Sequence, residues 1–379
     1  MQQSFYVYNN GDLKRKDNTL RFTSYDGEKR DIPIERISDI YVMSEMSFNT
    51  TFLSYISQYG IPIHFFNYYN FYTGSFYPKE SNLAGQLLVN QVQHYTEYDK
   101  RLLIAKKFIQ AAADNIYRNL RYYNGRDKNV SDYMKDIDSL RTGLVGVKSI
   151  QELMGIEGNI RKKYYAAWSV IINQEIEFDK RVMHPPDNMI NSLISFVNSL
   201  VYTRTLSEIY HTQLNPTISY LHEPGIRRYS LCLDISEVFK PLIGDRLIFS
   251  LLNRKQITEK SFTKELNYLH LKKDASKLIV SEFEKKMKDF LGDEWEDFLY
   301  SYDNNRFQAL RFNTLKVGKD KGIEQEIAGI MDKLGIPMDK KVTWADNAYY
   351  YDEDKRPGKH PYHEMGLYYI QEPSAMSAA

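Results

Sequence analysis

Short runs in which apolar and polar residues alternate fill the first eighty residues. Residues 4–8, 12–16, 20–25, 29–33 and 37–43 carry the period of half-buried strands. Asn9-Asn10-Gly11, Asp17-Asn18 and Asp26-Gly27 separate them, and Asp-Gly suits the positive φ of a tight hairpin. At 49–59 the spacing switches. Phe52, Leu53 and Ile56 share one helical face, and Gly60 is placed to stop the helix. Residues 61–66 and 71–77 supply two further strands.

Beyond residue 84 the period is helical. Leu87, Leu88 and Val92, then Leu102, Leu103, Ala105, Phe108, Ile109 and Ala112, recur without an intervening proline, predicting helix from 85 to 124. Further helices are predicted at 132–140, 149–174, 188–214 and 235–253. After about residue 284 the pattern is mixed, with Gly318, Gly322, Pro337 and a Pro- and His-containing stretch at 356–363. The expected fold class is α+β multidomain. A small, mainly β domain (1–80) precedes a larger all-α domain (81–283), and a mixed α/β tail (284–379) follows.

Composition narrows the function. Hydrophobic residues make 42% and charged residues 26% of the 379, an ordinary globular balance that excludes wholesale disorder. With 50 Lys+Arg against 49 Asp+Glu, any nucleic-acid contact must come from local patches such as Lys106-Lys107, Arg161-Lys162-Lys163, Arg227-Arg228 and Lys272-Lys273. The single cysteine, Cys232, forbids an intrachain disulfide and a Cys-based zinc site. It points to a reducing cytoplasm, and its apolar neighbours mark it as a core residue rather than a nucleophile. No run approaches the ~20 apolar residues of a membrane span, and residues 1–8 lack a signal-peptide layout. GxGxxG, GxxxxGK[ST] and GxSxG motifs are absent, so the dinucleotide, P-loop and α/β-hydrolase signatures are missing. Phe65, Phe66, Tyr68, Tyr69, Phe71 and Tyr72 crowd the last strands of the β domain. They are expected to form a homodimer interface, the alternative being burial against the helix carrying Phe52 and Ile56.

Three segments hold candidate chemistry. Gly155-Ile156-Glu157-Gly158 sets a carboxylate between glycines inside a helical pattern. Each glycine costs ~1 kcal/mol there against alanine, which fits close approach by another molecule; the alternative is a solvated surface glutamate. Leu221-His222-Glu223-Pro224 places a histidine just before Arg227-Arg228, and a lone histidine is otherwise structural or solvated. Asp234 and Glu237, three apart, share a helix face, with N-capping the plainer role for Asp234. Together, Glu, His and an acid suit Mg²⁺ or Mn²⁺, and nearby bases suit a phosphodiester backbone. From the residues alone this reads as a metal-dependent nuclease.

Longer motifs carry a resemblance. Phe5-Tyr6-Val7, the run from Gly11 to Leu20, Ile32-Pro33-Ile34 and Gly60-Ile61-Pro62-Ile63 are followed by Gly155-Ile156-Glu157-Gly158. Pro185-Pro186-Asp187-Asn188, Asn191-Ser192-Leu193, Leu221-His222-Glu223-Pro224 and the run from Leu233 to Pro241 complete the series. In this order they resemble the CRISPR adaptation integrase, the universal first CRISPR-associated protein, over residues 1 to about 283. The resemblance implies a divalent ion (Mg²⁺ or Mn²⁺) held by Glu157, His222 and Glu237, with Asp234 in support. It also implies strand transfer of the 3′-hydroxyl ends of a short DNA duplex into the CRISPR repeat. The partners it implies are DNA, a second copy of the chain, and the small second CRISPR-associated protein in a heterohexamer. Arg161, Lys162, Lys163, Arg227 and Arg228 flank the expected ligands and are the candidate DNA-binding residues.

From about Glu284 the chain instead resembles the N-terminal, RNA-binding region of Sun-type RNA cytosine-5 methyltransferases. Leu291-Gly292-Asp293-Glu294, Arg311-Phe312-Asn313-Thr314-Leu315-Lys316 and the run from Arg356 to His363 carry it. That family's catalytic cysteines and methyl-donor pocket have no counterpart here, and the basic helical segment expected to close the integrase's α domain is not recognised. Two function classes follow. One is a DNA integrase with an accessory tail; the other is a catalytically impaired fusion that binds nucleic acid through its tail.

Overall fold

The computed structural model describes residues 3–79, 84–176, 178, 181–182, 188–226, 229–265, 268–291, 308–318, 322–371 and 373–376. Residues 1–83 and 91–302 form one compact unit; 84–90 and 303–379 form a second.

The first unit begins with two sheets. Strands β1 (Gln3–Val7), β5 (Ile37–Val42), β7 (Ile63–Phe66) and β8 (Tyr72–Phe76) lie in the order β1-β5-β7-β8, parallel except for the β7–β8 hairpin. Strands β2 (Gly11–Lys16), β3 (Thr19–Ser24), β4 (Lys29–Pro33) and β6 (Met46–Phe48) lie in the order β4-β3-β2-β6. The predicted turns hold: Asp17 and Gly27 take positive φ between consecutive antiparallel strands. Helix α1 (Thr50–Gln58) is capped by Asn49, whose Oδ1 accepts from Phe52 N at 2.9 Å, and Gly60 follows it at φ 66°. Phe52 and Ile56 of α1 bury against Leu13, Leu20, Ile40 and Ile63, closing a small core between the sheets.

The helical part runs α2 (Gly85–Thr96), α3 (Tyr98–Asn124), α4 (Ser131–Gly143), α5 (Ile150–Ile171), α6 (Met189–Tyr210), α7 (Ser230–Phe239) and α8 (Arg246–Asn253). A π-helical segment, Lys240–Asp245, joins α7 to α8. The helix expected over 85–124 breaks at Glu97, where the backbone turns extended. The hairpin β9 (Phe262–Glu265) and β10 (Tyr268–Leu271), together with β6, carries no strand signal that the sequence reading used. Helix α9 (Lys273–Leu291) then packs Ala275, Ile279, Val280 and Phe283 into the main core with Trp168, Leu193 and Phe249. Polar groups tie sheet to helices: Arg204 donates to Ser4 Oγ, Ser207 to Asp39 at 3.1 Å, and Tyr6 to Glu284 at 2.6 Å.

In the second unit β11 (Gln308–Phe312) lies between β12 (Ala348–Tyr351) and β13 (Tyr368–Gln371) in an antiparallel sheet. Helix α10 (Ile323–Leu334) covers it, burying Ile327 and Met331 with Leu310, Phe312 and Tyr368. The architecture is α+β, as expected from the sequence.

Candidate active site

Helix α5 starts at Ser149, whose hydroxyl accepts from Glu152 N at 3.1 Å while Glu152 reaches back to Lys148 N at 3.0 Å. Its buried side, with Leu153, Ile160, Tyr164 and Trp168, fixes its rotation and leaves Glu157 half-buried. A Cβ built at Gly155 or Gly158 meets nothing within 4 Å. The glycines therefore serve no internal packing; they keep the surface beside Glu157 bare.

His222 sits in the loop between α6 and α7, and Asp234 organises that loop. Asp234 lies wholly buried within α7, and its Oδ2 accepts from Tyr220 N and Leu221 N at 2.7 and 2.9 Å. Its Oδ1 accepts from His222 N at 3.0 Å and from His222 Nδ1 at 2.8 Å. Because the carboxylate only accepts, Nδ1 carries its proton, and in the neutral ring the lone pair is on Nε2. Asp234 thus supports His222 and does not cap the helix. From α3, Arg101 holds the same loop: Nε donates to Tyr220 O at 2.9 Å and a terminal nitrogen to Glu223 at 2.7 Å, with the guanidinium over the Tyr95 ring.

Glu237 lies one turn after Asp234 and faces α5. Arg161 joins the two acids, donating Nε to Glu157 Oε1 at 3.2 Å and a terminal nitrogen to Glu237 Oε2 at 2.5 Å. Lys240 donates to the other oxygen of Glu237 at 2.5 Å. Burial alone would raise Glu237, but Lys240 and Arg161 outweigh it and bring the carboxyl down to about 2, with the His222 charge acting the same way. Past Lys240, Pro241 has no N–H to continue the α ladder, and the chain widens into the π segment. Asn115 and Asn119 of α3 satisfy carbonyls there, donating to Val238 O at 3.1 Å and Pro241 O at 2.8 Å. The segment ends at Asp245, buried and pushed up to about 7 by burial against the opposing pull of Arg161.

Glu157 and Glu237 therefore meet on one guanidinium, and His222, when protonated, acts on Glu237. Among the described residues no three His, Cys, Asp or Glu side chains form a ready-made metal cluster, and Arg161 and Lys240 are paired with the acids. The donor set still suits a hard divalent ion: two carboxylates, one held ionised, and an imidazole with its Nδ1 tied back.

The candidate DNA-binding bases fall in different places. Arg161 turns inward, its side chain 12% exposed; Lys163 pairs with Asp136 at 2.7 Å, and Lys162 is exposed. Arg227 and Arg228 lie outside the described residues, as do Pro185, Pro186 and Asp187 of the quoted motifs. Cys232 is buried, and burial pushes its thiol up to about 12, as a core residue requires. Sequence reasoning gave Arg101, Lys240 and Asp245 no role. Lys240 was within reach of it, three residues after Glu237 on the same helical face.

The family model described as CRISPR associated protein Cas1 matches residues 5–285. The chain belongs to the Cas1 family. The CRISPR-associated endonuclease Cas1 of Fusobacterium nucleatum is 67% identical over 291 residues, covering 77% of this chain and 86% of that protein. The solved Cas1 of Thermotoga maritima is 40% identical with a TM-score of 0.69, covering 76% of this chain and 90% of its own. A casposase bound to integration product shares the fold, with a TM-score of 0.66 at 23% identity over 76% of this chain and 82% of its own. This Cas1 chain is thus a member of a family of CRISPR-associated endonucleases, and the resemblance read from its motifs holds. A second model, the N-terminal domain of 16S rRNA methyltransferase RsmF, matches residues 279–373. The two matches overlap at 279–285, inside α9. The junction is one unbroken helix, so the first residues of the second match pack in the Cas1 core. No described helix is long and apolar enough to cross a membrane.

Proposed function

We propose that this Cas1 chain is a metal-dependent DNA endonuclease and integrase of CRISPR adaptation. It inserts short DNA duplexes into the CRISPR array by attack of their 3′-hydroxyl ends on repeat phosphodiesters. One phosphodiester bond forms as another breaks, and the departing 3′-oxygen takes up the proton. Glu157, His222 and Glu237 would hold Mg²⁺ or Mn²⁺, which when bound supplies Lewis-acid stabilisation of the phosphoryl and attacking oxygens.

The observation that carries this reading is the meeting of Glu157 and Glu237 on Arg161, with a histidine that acts electrostatically on Glu237 and whose Nδ1 is fixed by Asp234. Asp234 and Arg101 orient the His222 loop, and Lys240 keeps Glu237 ionised. The bare helix surface at Gly155 and Gly158 lets a DNA backbone approach Glu157. Exposed Lys162, with Arg227 and Arg228, is assigned to phosphates, as is Lys163 once freed from Asp136. The working assembly is a homodimer formed through the β domain (1–80), bridged by the small second CRISPR-associated protein in a cytoplasmic heterohexamer. The helical domain (81–283) is catalytic, and the tail (284–379) is accessory. Strand nicking and integration with Mn²⁺, compared with the Glu157→Ala protein, test the assignment.

One observation favours the second reading, a nucleic-acid-binding module. The tail has its own core and presents a groove of about 650 Å³ lined by Arg356 and Lys359 beside Tyr351 and Asp354. RNA filter binding by the full chain, with and without Arg356→Ala and Lys359→Ala, distinguishes it.

A further inference from the structure

Asp245 is buried; the Tyr164 hydroxyl lends its carboxyl a hydrogen bond, but Oδ2 has no partner among the described residues. An unsatisfied buried carboxylate oxygen costs about 1–3 kcal/mol or more, so its presence calls for a reason. Helix capping is not the reason, since Asp245 makes no cap hydrogen bond to α8. Neither is pairing with the next residue, because Arg246 turns away and donates Nε to Asn119 at 2.6 Å.

The π segment supplies another answer. Its wider turn rotates each residue through a smaller angle than an α-helix does, which brings Asp245 back towards the face that carries Glu237. There Arg161 is the strongest charge acting on Asp245, followed by Lys240 and Glu237, and Asp245 in turn acts on Arg161. Arg161 is itself enclosed and bonded to Glu157 and Glu237, the two carboxylates assigned to the metal. A divalent ion held by those carboxylates would compete with the guanidinium for their negative charge. A guanidinium cannot shed its proton, and one left buried without an anion is strongly unfavourable. Asp245 offers the vacant acceptor.

We propose that Asp245 is a positioning residue that takes over the Arg161 guanidinium when a divalent cation occupies Glu157 and Glu237. This rests on the metal-site reading above. Asp245 then lets the ion enter without stranding a buried charge, and the Arg161 bridge holds the two acids together until it does.

The test is Mn²⁺ titration by calorimetry on the full chain without DNA, in a cycle of Asp245→Asn and Arg161→Gln, with circular-dichroism melts to verify folding. Asp245→Asn should weaken Mn²⁺ binding by about tenfold in the native background and by less than about twofold in the Arg161→Gln background. Asp245→Glu, which keeps the charge, should restore affinity to within about threefold of the native protein. A purely structural Asp245 would give the same loss in both backgrounds. That result, or native affinity in Asp245→Asn, overturns the proposal. If the amide variant does not fold, Arg161→Gln alone decides: removing the competitor must leave Mn²⁺ binding as tight or tighter, and weaker binding overturns the proposal. If the unaltered protein binds no Mn²⁺, the metal reading fails and takes this one with it. Failure of the coupling alone leaves the ligand assignment standing.

Discussion

Asp234 and His222 are joined twice by one oxygen: Asp234 Oδ1 accepts the backbone N–H of His222 at 3.0 Å and its ring Nδ1 at 2.8 Å. The other oxygen takes the two preceding N–H groups, so a single buried side chain shapes the loop and sets the tautomer. Replacing it with alanine takes the acceptor from four donors, three backbone N–H groups and the His222 ring, and should cost about 3 kcal/mol or more in urea unfolding. Strand transfer should fall by about 10- to 100-fold as His222 loses its orientation.

DNA affinity should fall steeply with salt, since the chain has almost no net charge and binding rests on local patches. The Arg227→Ala, Arg228→Ala double variant should lower the slope of log K against log[salt] by up to about two units, with sequence preference little changed. An unchanged slope places both residues off the DNA path.

Light scattering at micromolar concentration should give twice the 44.7 kDa chain mass. The aromatic residues at the end of the β region divide: Phe66 is buried and Phe65 packs with the Phe52–Ile56 core, whereas Tyr68 is 76% exposed. The exposed ones are assigned to the partner copy, and a monomeric mass contradicts this.

Cys232 should resist thiol reagents at pH 8 in the folded protein and react fully in urea. Its thiol is raised from an ordinary 9.0 to about 12, so burial favours the protonated form. Its contribution to stability is fully present below pH 9 and is lost as pH rises from there towards 12. Rapid labelling of the native protein at pH 8 contradicts the burial.

Elements with local signals were legible: alternation with Asp-Gly and Asp-Asn turns marked β2 to β4, and Asn49 and Gly60 bracketed α1. The break at Glu97 was not, because no proline or glycine marks it; Thr96 instead turns its hydroxyl back to Gln93 O at 3.0 Å. Pro241 was visible, yet its consequence depends on Asn115 and Asn119 reaching across from α3. The proposed ligands Glu157, His222 and Glu237 each stand in a contiguous motif, which is what singles them out in the sequence. Helical spacing places Arg161, a candidate DNA contact, beside Glu157 without showing that it turns inward. Only tertiary packing brings Glu237 to its far side. Arg101 is more than a hundred residues from the loop it holds, a separation no local pattern carries.

The most direct test of the metal-dependent site is the rate of strand transfer by His222→Ala. The assay uses a short duplex with free 3′-hydroxyl ends, repeat DNA and Mn²⁺, with the second CRISPR-associated protein present. The account predicts a loss of about a hundredfold or more, with the variant still folded. Near-native transfer by folded His222→Ala would contradict it and remove His222 from the site.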